Sequence, residues 1–190
     1  CKRVIVIAGD NAASKNLLPW IGGGFLAAGG VTTKADVKEA ALPFGKERHG
    51  LIIGSASAGL VIESRESYEE RGVKPIVDLV GTYMANSAYH GSRLDVNHIS
   101  QELDKFISYI EEKTGIKREE IALEGMFVSH ETYTPARGGS SEAEIRALER
   151  TFGPYAKKMV IINTKGYTGH PMGAGIEECI AIKSMEKGII

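Results

Sequence analysis

The stretch Asn163-Thr164-Lys165-Gly166-Tyr167-Thr168-Gly169-His170-Pro171-Met172-Gly173-Ala174-Gly175 sets a lysine and a histidine on a glycine-rich loop. Before it, Met159-Val160-Ile161-Ile162 reads as a buried strand; after it, Ile176 to Met185 carries apolar residues at helical spacing. The order is strand, special loop, helix. Glycines at 169, 173 and 175 allow backbone shapes that other residues resist, and the following helix would turn free amides toward an anion. Lys165 can then fix a charge, and His170 can donate a hydrogen bond from one ring nitrogen. The competing reading is a tight structural turn with Lys165 as a surface charge.

Working outward, Lys2 to Ala8 reads as a buried strand ended by Gly9, Asp10 and Asn11. Leu17 to Gly30 lacks a sustained period and reads as mostly loop with one helical turn. Residues 50–54 and 59–63 read as two short strands separated by the small residues 55–58, and 64–71 as a short surface helix ending near Gly72. Pro75 to Tyr83 reads as a further strand. Ile99 to Thr114 is the clearest helix, with Leu103, Phe106, Ile107 and Ile110 on one face, Ser100 as a candidate cap and Gly115 as its end. Ile121 to Ser129 reads as a strand, and Ser141 to Phe152 as a helix with Ile145, Leu148 and Phe152 inward, stopped at Pro154. Strands and helices in alternation predict an α/β layered domain, and apolar strands without strict alternation predict a sheet covered on both faces.

A chain of 190 residues with 43% hydrophobic composition is long enough for a core, as one domain or two small lobes. Its net charge of -1 comes from 23 basic and 24 acidic residues without a basic block, which argues against nucleic acid as a partner. The two cysteines, Cys1 and Cys179, supply neither a disulfide framework nor a metal-binding spacing, and fit a reducing compartment. No apolar run approaches the roughly 20 residues of a membrane span. Cys1 to Gly9 is too short in its apolar part for a signal peptide, and a start at a strand without methionine points to a fragment, a processed chain or a cloned domain.

His130 is the second candidate. It stands directly after the expected strand Gly125-Met126-Phe127-Val128-Ser129, and polar residues at strand ends line many α/β sites. His130 and His170 in one site would face a common cavity within about 8 Å; the alternative for His130 is a structural histidine in a partly buried turn. His49, His90 and His98 lack ligand spacings, so no structural zinc site is expected. His90 is a candidate for lining a cavity. Trp20, beside a glycine cluster, suits either an interface anchor or a core plug. Cys179, inside the last helix, reads as an inert buried thiol, and nothing near Cys1 prepares a nucleophile.

Taken together, these residues resemble the C-terminal half of β-ketoacyl synthases, the condensing enzymes of the thiolase superfamily. Asn163, Lys165, Gly169-His170 and Gly173-Ala174-Gly175 match that family's lysine, Gly-His pair and glycine-alanine helix start. The Gly-His-Pro form and Ser184 to Ile190 are most similar to synthase domains of large multienzyme fatty-acid synthases. His130, Thr132 and Thr134 match a His-Gly-Thr-Gly-Thr motif whose glycines are here Glu131 and Tyr133. Arg137-Gly138-Gly139 lacks the motif's following aspartate, and the segment before Glu144 is about three residues longer. Pro43-Phe44, Arg48 and Gly50 match a Pro-Phe-Asp-x-x-Arg-x-Gly-Phe gate with Gly45 and Leu51 substituted, and Ser87 to His90 resembles a segment near the acyl channel.

The resemblance implies a thiolase-like layered fold, this chain being the C-terminal lobe with a central, mostly parallel mixed sheet flanked by helices. Residues 1–95 would form the gate and channel portion and 96–190 the core portion. It implies His130, His170 and Lys165 as catalytic residues, and Leu51, Thr132, Thr134, His90, Gly169 and Gly173 along the substrate channel. The family's nucleophilic cysteine precedes the strand that Lys2 opens, so this chain would not contain it and Cys1 would not inherit its role. The implied reaction is decarboxylative Claisen condensation of an acyl with a malonyl thioester in fatty-acid or polyketide synthesis. Substrates would ride on acyl carrier protein phosphopantetheine or coenzyme A, with no cofactor and no metal. The implied partners are the N-terminal ketosynthase lobe, an acyl carrier protein and a second copy in a cytoplasmic homodimer. Alternatives are a non-catalytic partner of the chain-length-factor type, or a binding module for acyl carrier protein or acyl-coenzyme A.

Overall fold

The computed structural model describes residues 2–89, 94–135, 139–172 and 175–190. Cys1, His90 and Gly173 lie outside the described residues, as do Arg137 and Gly138.

Strands β1 (Arg3–Asp10) and β2 (Ala56–Glu63) pair antiparallel, from Arg3 opposite Glu63 to Asp10 opposite Ala56. Between them lie helices α1 (Leu18–Ala27) and α2 (Val37–Ala40). Helix α3 (Arg65–Glu70) follows, then α4 (Val96–Thr114), α5 (Arg118–Glu124), β3 (Met126–Val128) and α6 (Gly139–Phe152). A 3-10 turn (Gly153–Lys158) leads into β4 (Val160–Ile162), the single turn α7 (Lys165–Thr168) and α8 (Ile176–Lys187). β3 and β4 run parallel in register, Phe127 opposite Ile161, and two further parallel bridges join Val31 to Leu51 and Ile53 to His170. Strands flanked by helices form the layered α/β arrangement that the sequence pattern predicts.

The core lies where α4 and α6 pack together. Ile107, Ala122, Leu148, Phe152 and Ala156 are buried there, bordered by Leu103, Ile121, Phe127, Tyr155 and Met159. Burying a side chain such as Leu148 or Phe152 contributes about 1.5–3 kcal/mol. At the edge of this core Arg118 joins three helices: its guanidinium donates to Asp104 Oδ1 at 2.8 Å and Glu111 Oε2 at 2.7 Å on α4, and to Thr151 O at 3.0 Å on α6.

Several elements depart from the sequence-based expectations. Leu18–Ala27 is a ten-residue helix: Pro19 stands at its start, where a fixed φ suits a helix, and the low propensity of Gly22, Gly23 and Gly24 hid the rest. Residues 121–124 are helical, because acidic Glu119 and Glu120 suit the first turn of α5, and only Met126–Val128 forms a strand after Gly125. Residues 75–83 form no strand. That segment lies along α4 through side chains instead: the Tyr83 ring packs 5.6 Å from Phe106, its hydroxyl donates to Glu102, and Lys113 donates to Val80 O. Helix α4 is capped by Asp95, whose carboxylate accepts the His98 N–H, whereas Ser100 bonds back to Val96 O within the helix. Gly115 ends it in the left-handed region, as expected. In α6 the buried stripe is Ala143, Ala147, Leu148, Thr151 and Phe152, which turns Ile145 outward.

β1 is not buried. Val4, Ile5, Val6 and Ile7 alternate sides of the strand yet are all exposed, Ile7 by 80%, and β2 is the strand's one ladder partner among the described residues. Val61 on β2 and Trp20 on α1 are exposed too, Trp20 by 82%, so Trp20 is no core plug. No helix among the described residues is long and apolar enough to cross a membrane.

Candidate active site

Because β3 and β4 are parallel neighbours, the chain leaves both at the same end, and Ser129 N continues the ladder to Ile162 O at 2.8 Å. Ser129 and His130 follow one strand; Asn163, Thr164 and Lys165 follow the other. This is the strand-end location where α/β sheets place polar groups.

His170 reaches the same place by docking on residues 52–54. Its N–H donates to Ile52 O at 2.6 Å, and its carbonyl accepts the Gly54 N–H at 3.2 Å. Such close contact needs two facing glycines. Gly169 has φ 65 and ψ -170, and a Cβ there would stand 2.6 Å from Gly54 Cα; a Cβ on Gly54 would stand 2.1 Å from Thr168 O. Gly169 is thus a buried structural contact beside His170. The imidazoles of His130 and His170 then meet edge to face, ring centroids 5.2 Å apart at 79°.

Burial pushes the His170 imidazole down to about 4, and neighbouring His130 and Lys165 add to the effect. His130 is lowered chiefly by desolvation and next by the Lys165 ammonium, partly offset by Glu177 and Glu131. His130 is the more exposed of the two residues. Both rings are therefore neutral near pH 7, each with one N–H to donate. His170 Nδ1 is buried without a hydrogen-bond partner, so the protein itself fixes no tautomer for that ring.

Lys165 is 1% exposed rather than a surface charge. Its Nζ meets Glu177 Oε1 of α8 at 2.7 Å, while its backbone N–H donates to Asn163 Oδ1 at 3.1 Å. Glu177 was invisible to sequence reasoning, because an acidic residue in a first helical turn is ordinarily explained by the helix dipole. Glu144 on α6 also joins the cluster: it accepts the Ser129 hydroxyl at 2.5 Å, and burial raises its carboxyl to about 7.

The two residues standing where the resemblance predicts glycine are both buried here. Tyr133 holds a left-handed backbone with φ 63 and donates its hydroxyl to Asn163 Oδ1 at 2.6 Å; burial lifts its phenol to about 12. Glu131 is 0% exposed and accepts from Ser140 Oγ at 2.5 Å and from Tyr133 N at 3.1 Å. Thr132 and Thr134 lie on the same loop with their hydroxyls paired at 3.3 Å, and Leu51 is buried next to Ile52.

The remaining candidates lie elsewhere. His49 bonds Thr32 at 3.0 Å, and His98 lies on α4 in a cleft of about 360 Å³ with Tyr83, Ser87, Glu102 and Phe106. Cys179 is a half-buried free thiol on α8. Among the described residues no group of three acidic, histidine or cysteine side chains could hold a metal.

The layered α/β core and the strand-end pairing of these loops define a thiolase-like fold. The chain superposes on a type II polyketide-synthase ketosynthase in complex with its acyl-carrier protein with a TM-score of 0.80 at 23% identity, over 98% of this chain and 44% of that one. A β-ketoacyl synthase from Burkholderia phymatum gives 0.78 at 23% identity over 98% and 42%, and the ishigamide ketosynthase/chain length factor 0.77 at 23% over 98% and 41%. In sequence it is 33% identical over 155 residues to 3-oxoacyl-[acyl-carrier-protein] synthase 2 of Coxiella burnetii, covering 80% of this chain and 35% of that protein. The synthase 2 of Staphylococcus aureus is 30% identical over 165 residues, covering 86% and 39%. No family model matches the chain. The chain is homologous to β-ketoacyl synthase domains of the thiolase superfamily, and spans a little over a third of the length of these curated relatives.

Proposed function

We propose that this chain is the C-terminal lobe of a 3-oxoacyl synthase and supplies the histidine half of a decarboxylative Claisen condensation. The observation that carries this reading is the pair of neutral imidazoles 5.2 Å apart beside a buried Lys165–Glu177 ion pair. In a malonyl thioester the bond to the carboxylate breaks, carbon dioxide leaves and the electron pair passes into a thioester enolate. Two imidazole N–H groups donating to that oxygen stabilise charge that develops only in the transition state. The carbanion then attacks an acyl thioester, forming the new carbon–carbon bond and expelling the thiolate that held the acyl group. That thiolate is assigned to a cysteine of an N-terminal lobe, which would also cover the apolar faces of β1 and β2. The substrates belong to the carrier-bound or coenzyme A-bound thioesters, and Leu51, Thr132 and Thr134 are assigned to their channel.

In the intact, cytoplasmic, homodimeric protein this reading assigns, His130→Ala and His170→Ala each lower malonyl-carrier decarboxylation at least a hundredfold, roughly the worth of a lost oxyanion donor. Decarboxylation retained by both variants refutes the assignment. The isolated 190 residues are expected to be inactive, and activity there would refute the division of labour.

A second reading is favoured by Glu131 and Tyr133 in place of motif glycines: a non-catalytic partner of the chain-length-factor type, or a module that only binds carrier or acyl-coenzyme A. Incubating the intact protein with a radiolabelled acyl-carrier thioester separates the two. Covalent labelling supports the synthase; reversible binding without labelling supports the partner.

A further inference from the structure

The short segment from residue 48 to 54 touches both histidine loops. At one end Gly50 donates its N–H to Tyr133 O at 2.8 Å; at the other, Ile52 and Gly54 bracket His170 with bonds of 2.6 and 3.2 Å. How far apart the two imidazoles stand therefore depends on how firmly each loop is held to this one segment. His170 has two backbone bonds and a glycine contact. Among the described residues the His130 loop has one backbone bond to this segment, through Tyr133, and needs a second hold.

Glu131 provides it. Its carboxylate is 0% exposed and lies 3.4 Å from Arg48 Nε, whose side chain is 15% exposed. The same carboxylate accepts Ser140 Oγ at 2.5 Å and Tyr133 N at 3.1 Å, and Arg48 Nη1 donates to Gly45 O at 2.9 Å. A carboxylate taken out of water demands partners on every side, and a pair so enclosed fixes geometry even where it adds little net stability. Neither the histidine chemistry nor the Lys165–Glu177 pair makes use of it.

We propose that Glu131 is a positioning residue whose buried pair with Arg48 latches the His130 loop to residues 48–54 and thereby sets the spacing of the two histidines. Its geometry holds whatever the histidines do; only its consequence for turnover rests on the condensing function. The carbonyl of Glu131 strengthens the same arrangement by accepting from Asn163 Nδ2 at 2.8 Å, which ties the loop to the base of the Lys165 turn.

The test uses the intact protein with isotopically labelled histidines in a deuterated background. Glu131→Gln keeps the shape and removes the charge; Arg48→Met removes the partner. Each is expected to weaken the nuclear Overhauser effect between the His130 and His170 rings at least about twofold, since it falls steeply with distance, and the double variant is expected to be no worse than either single one. A role in stability alone would lower the unfolding midpoint and leave the ring contact unchanged. That result, or additive losses in the double variant, overturns the latch. If Glu131→Gln fails to fold, Arg48→Met alone decides: it removes the partner of Glu131, and an unchanged ring contact overturns the proposal. In the decarboxylation assay kcat should fall about tenfold or more with KM unchanged, as for a displaced catalytic group. Absence of decarboxylation in the unaltered protein would sink the proposed reaction while leaving the ring-contact test intact.

Discussion

Gly169→Ala tests the contact that brings His170 to the site. At φ 65 and ψ -170 the residue occupies a region open essentially to glycine, which costs other residues about 1–3 kcal/mol. The added methyl would also stand 2.6 Å from Gly54 Cα and 2.7 Å from Gly54 N. Those are backbone atoms pinned by their own hydrogen bond to His170 O, so residues 52–54 must move, at a further cost of about 1–3 kcal/mol. The sum is about 2–6 kcal/mol. Two controls separate the parts. Gly29→Ala has a similar φ of 67 with nothing within 4 Å of the new methyl, and should cost only about 1–2 kcal/mol. Gly54→Ala meets Thr168 O at 2.1 Å without a positive φ, and should show the packing cost alone. Urea unfolding monitored by circular dichroism measures all three. If Gly169→Ala is no more destabilising than Gly29→Ala, the two glycines do not pack back to back and the docking of His170 on residues 52–54 is wrong.

Breaking the buried ion pair should be asymmetric: Glu177→Gln strands an ammonium that is 1% exposed and should cost about 3–5 kcal/mol, whereas Lys165→Met leaves a carboxylate a fifth exposed that water can reach and should cost less; equal losses in denaturant unfolding would contradict the burial argument. The pH dependence contains opposed contributions. His170, lowered to about 4, takes up a proton on unfolding, so its stabilising effect is complete above its unfolded value and fades as pH falls through the folded one. Glu144, raised to about 7, releases a proton on unfolding, so its contribution is full below pH 4.5 and fades as pH rises through 7. Glu144→Gln should therefore gain stability relative to the unaltered protein as pH rises from about 4.5 to 7, and thermal midpoints for the two that run parallel with pH would refute this. Leu148→Ala should cost about 2–5 kcal/mol by opening a cavity between α4 and α6, while Ile145→Ala on the exposed face of the same helix should cost under about 1 kcal/mol in thermal unfolding.

What could be read from the sequence divides along a physical line. Periodicity and punctuation are local, so α4 with its terminal Gly115, α6 and β4 are legible from their own residues, although β4, expected buried, leaves Val160 and Ile161 exposed. Residues 121–124 are helical and 75–83 irregular, both against a strand reading, because a short apolar run does not by itself fix its backbone state. For these, tertiary surroundings decide: Ala122 and Ile121 find the α4–α6 core as helix, and Tyr83 finds Phe106 and Glu102 instead of a ladder partner. β1 shows the opposite limit. Its apolar composition predicts a strand buried on both faces, yet Val4, Ile5, Val6 and Ile7 are all exposed, because composition registers a preference for cover and not what packs there.

The site divides in the same way. His130 is marked in the sequence by its place after a strand and His170 by its glycine-rich loop; the end of the β3–β4 pair holds the first, and docking on residues 52–54 brings the second to it. Charge partners leave no comparable mark. Glu177 lies twelve positions beyond Lys165, and Glu131 lies 83 beyond Arg48, so only the folded chain shows which carboxylate answers which cation. Glu131 and Tyr133 looked in the sequence like damage to a glycine motif. In the fold Tyr133 holds a left-handed backbone, a region that favours glycine, and turns its side chain to Asn163; Glu131 turns its carboxylate to Arg48. A loop whose glycines had simply been lost would leave the large side chains at the surface and their polar atoms in water. Here both are buried and bonded, so the substitutions replace flexible backbone with a fixed network behind His130. A network of that kind restrains the more exposed ring of the pair.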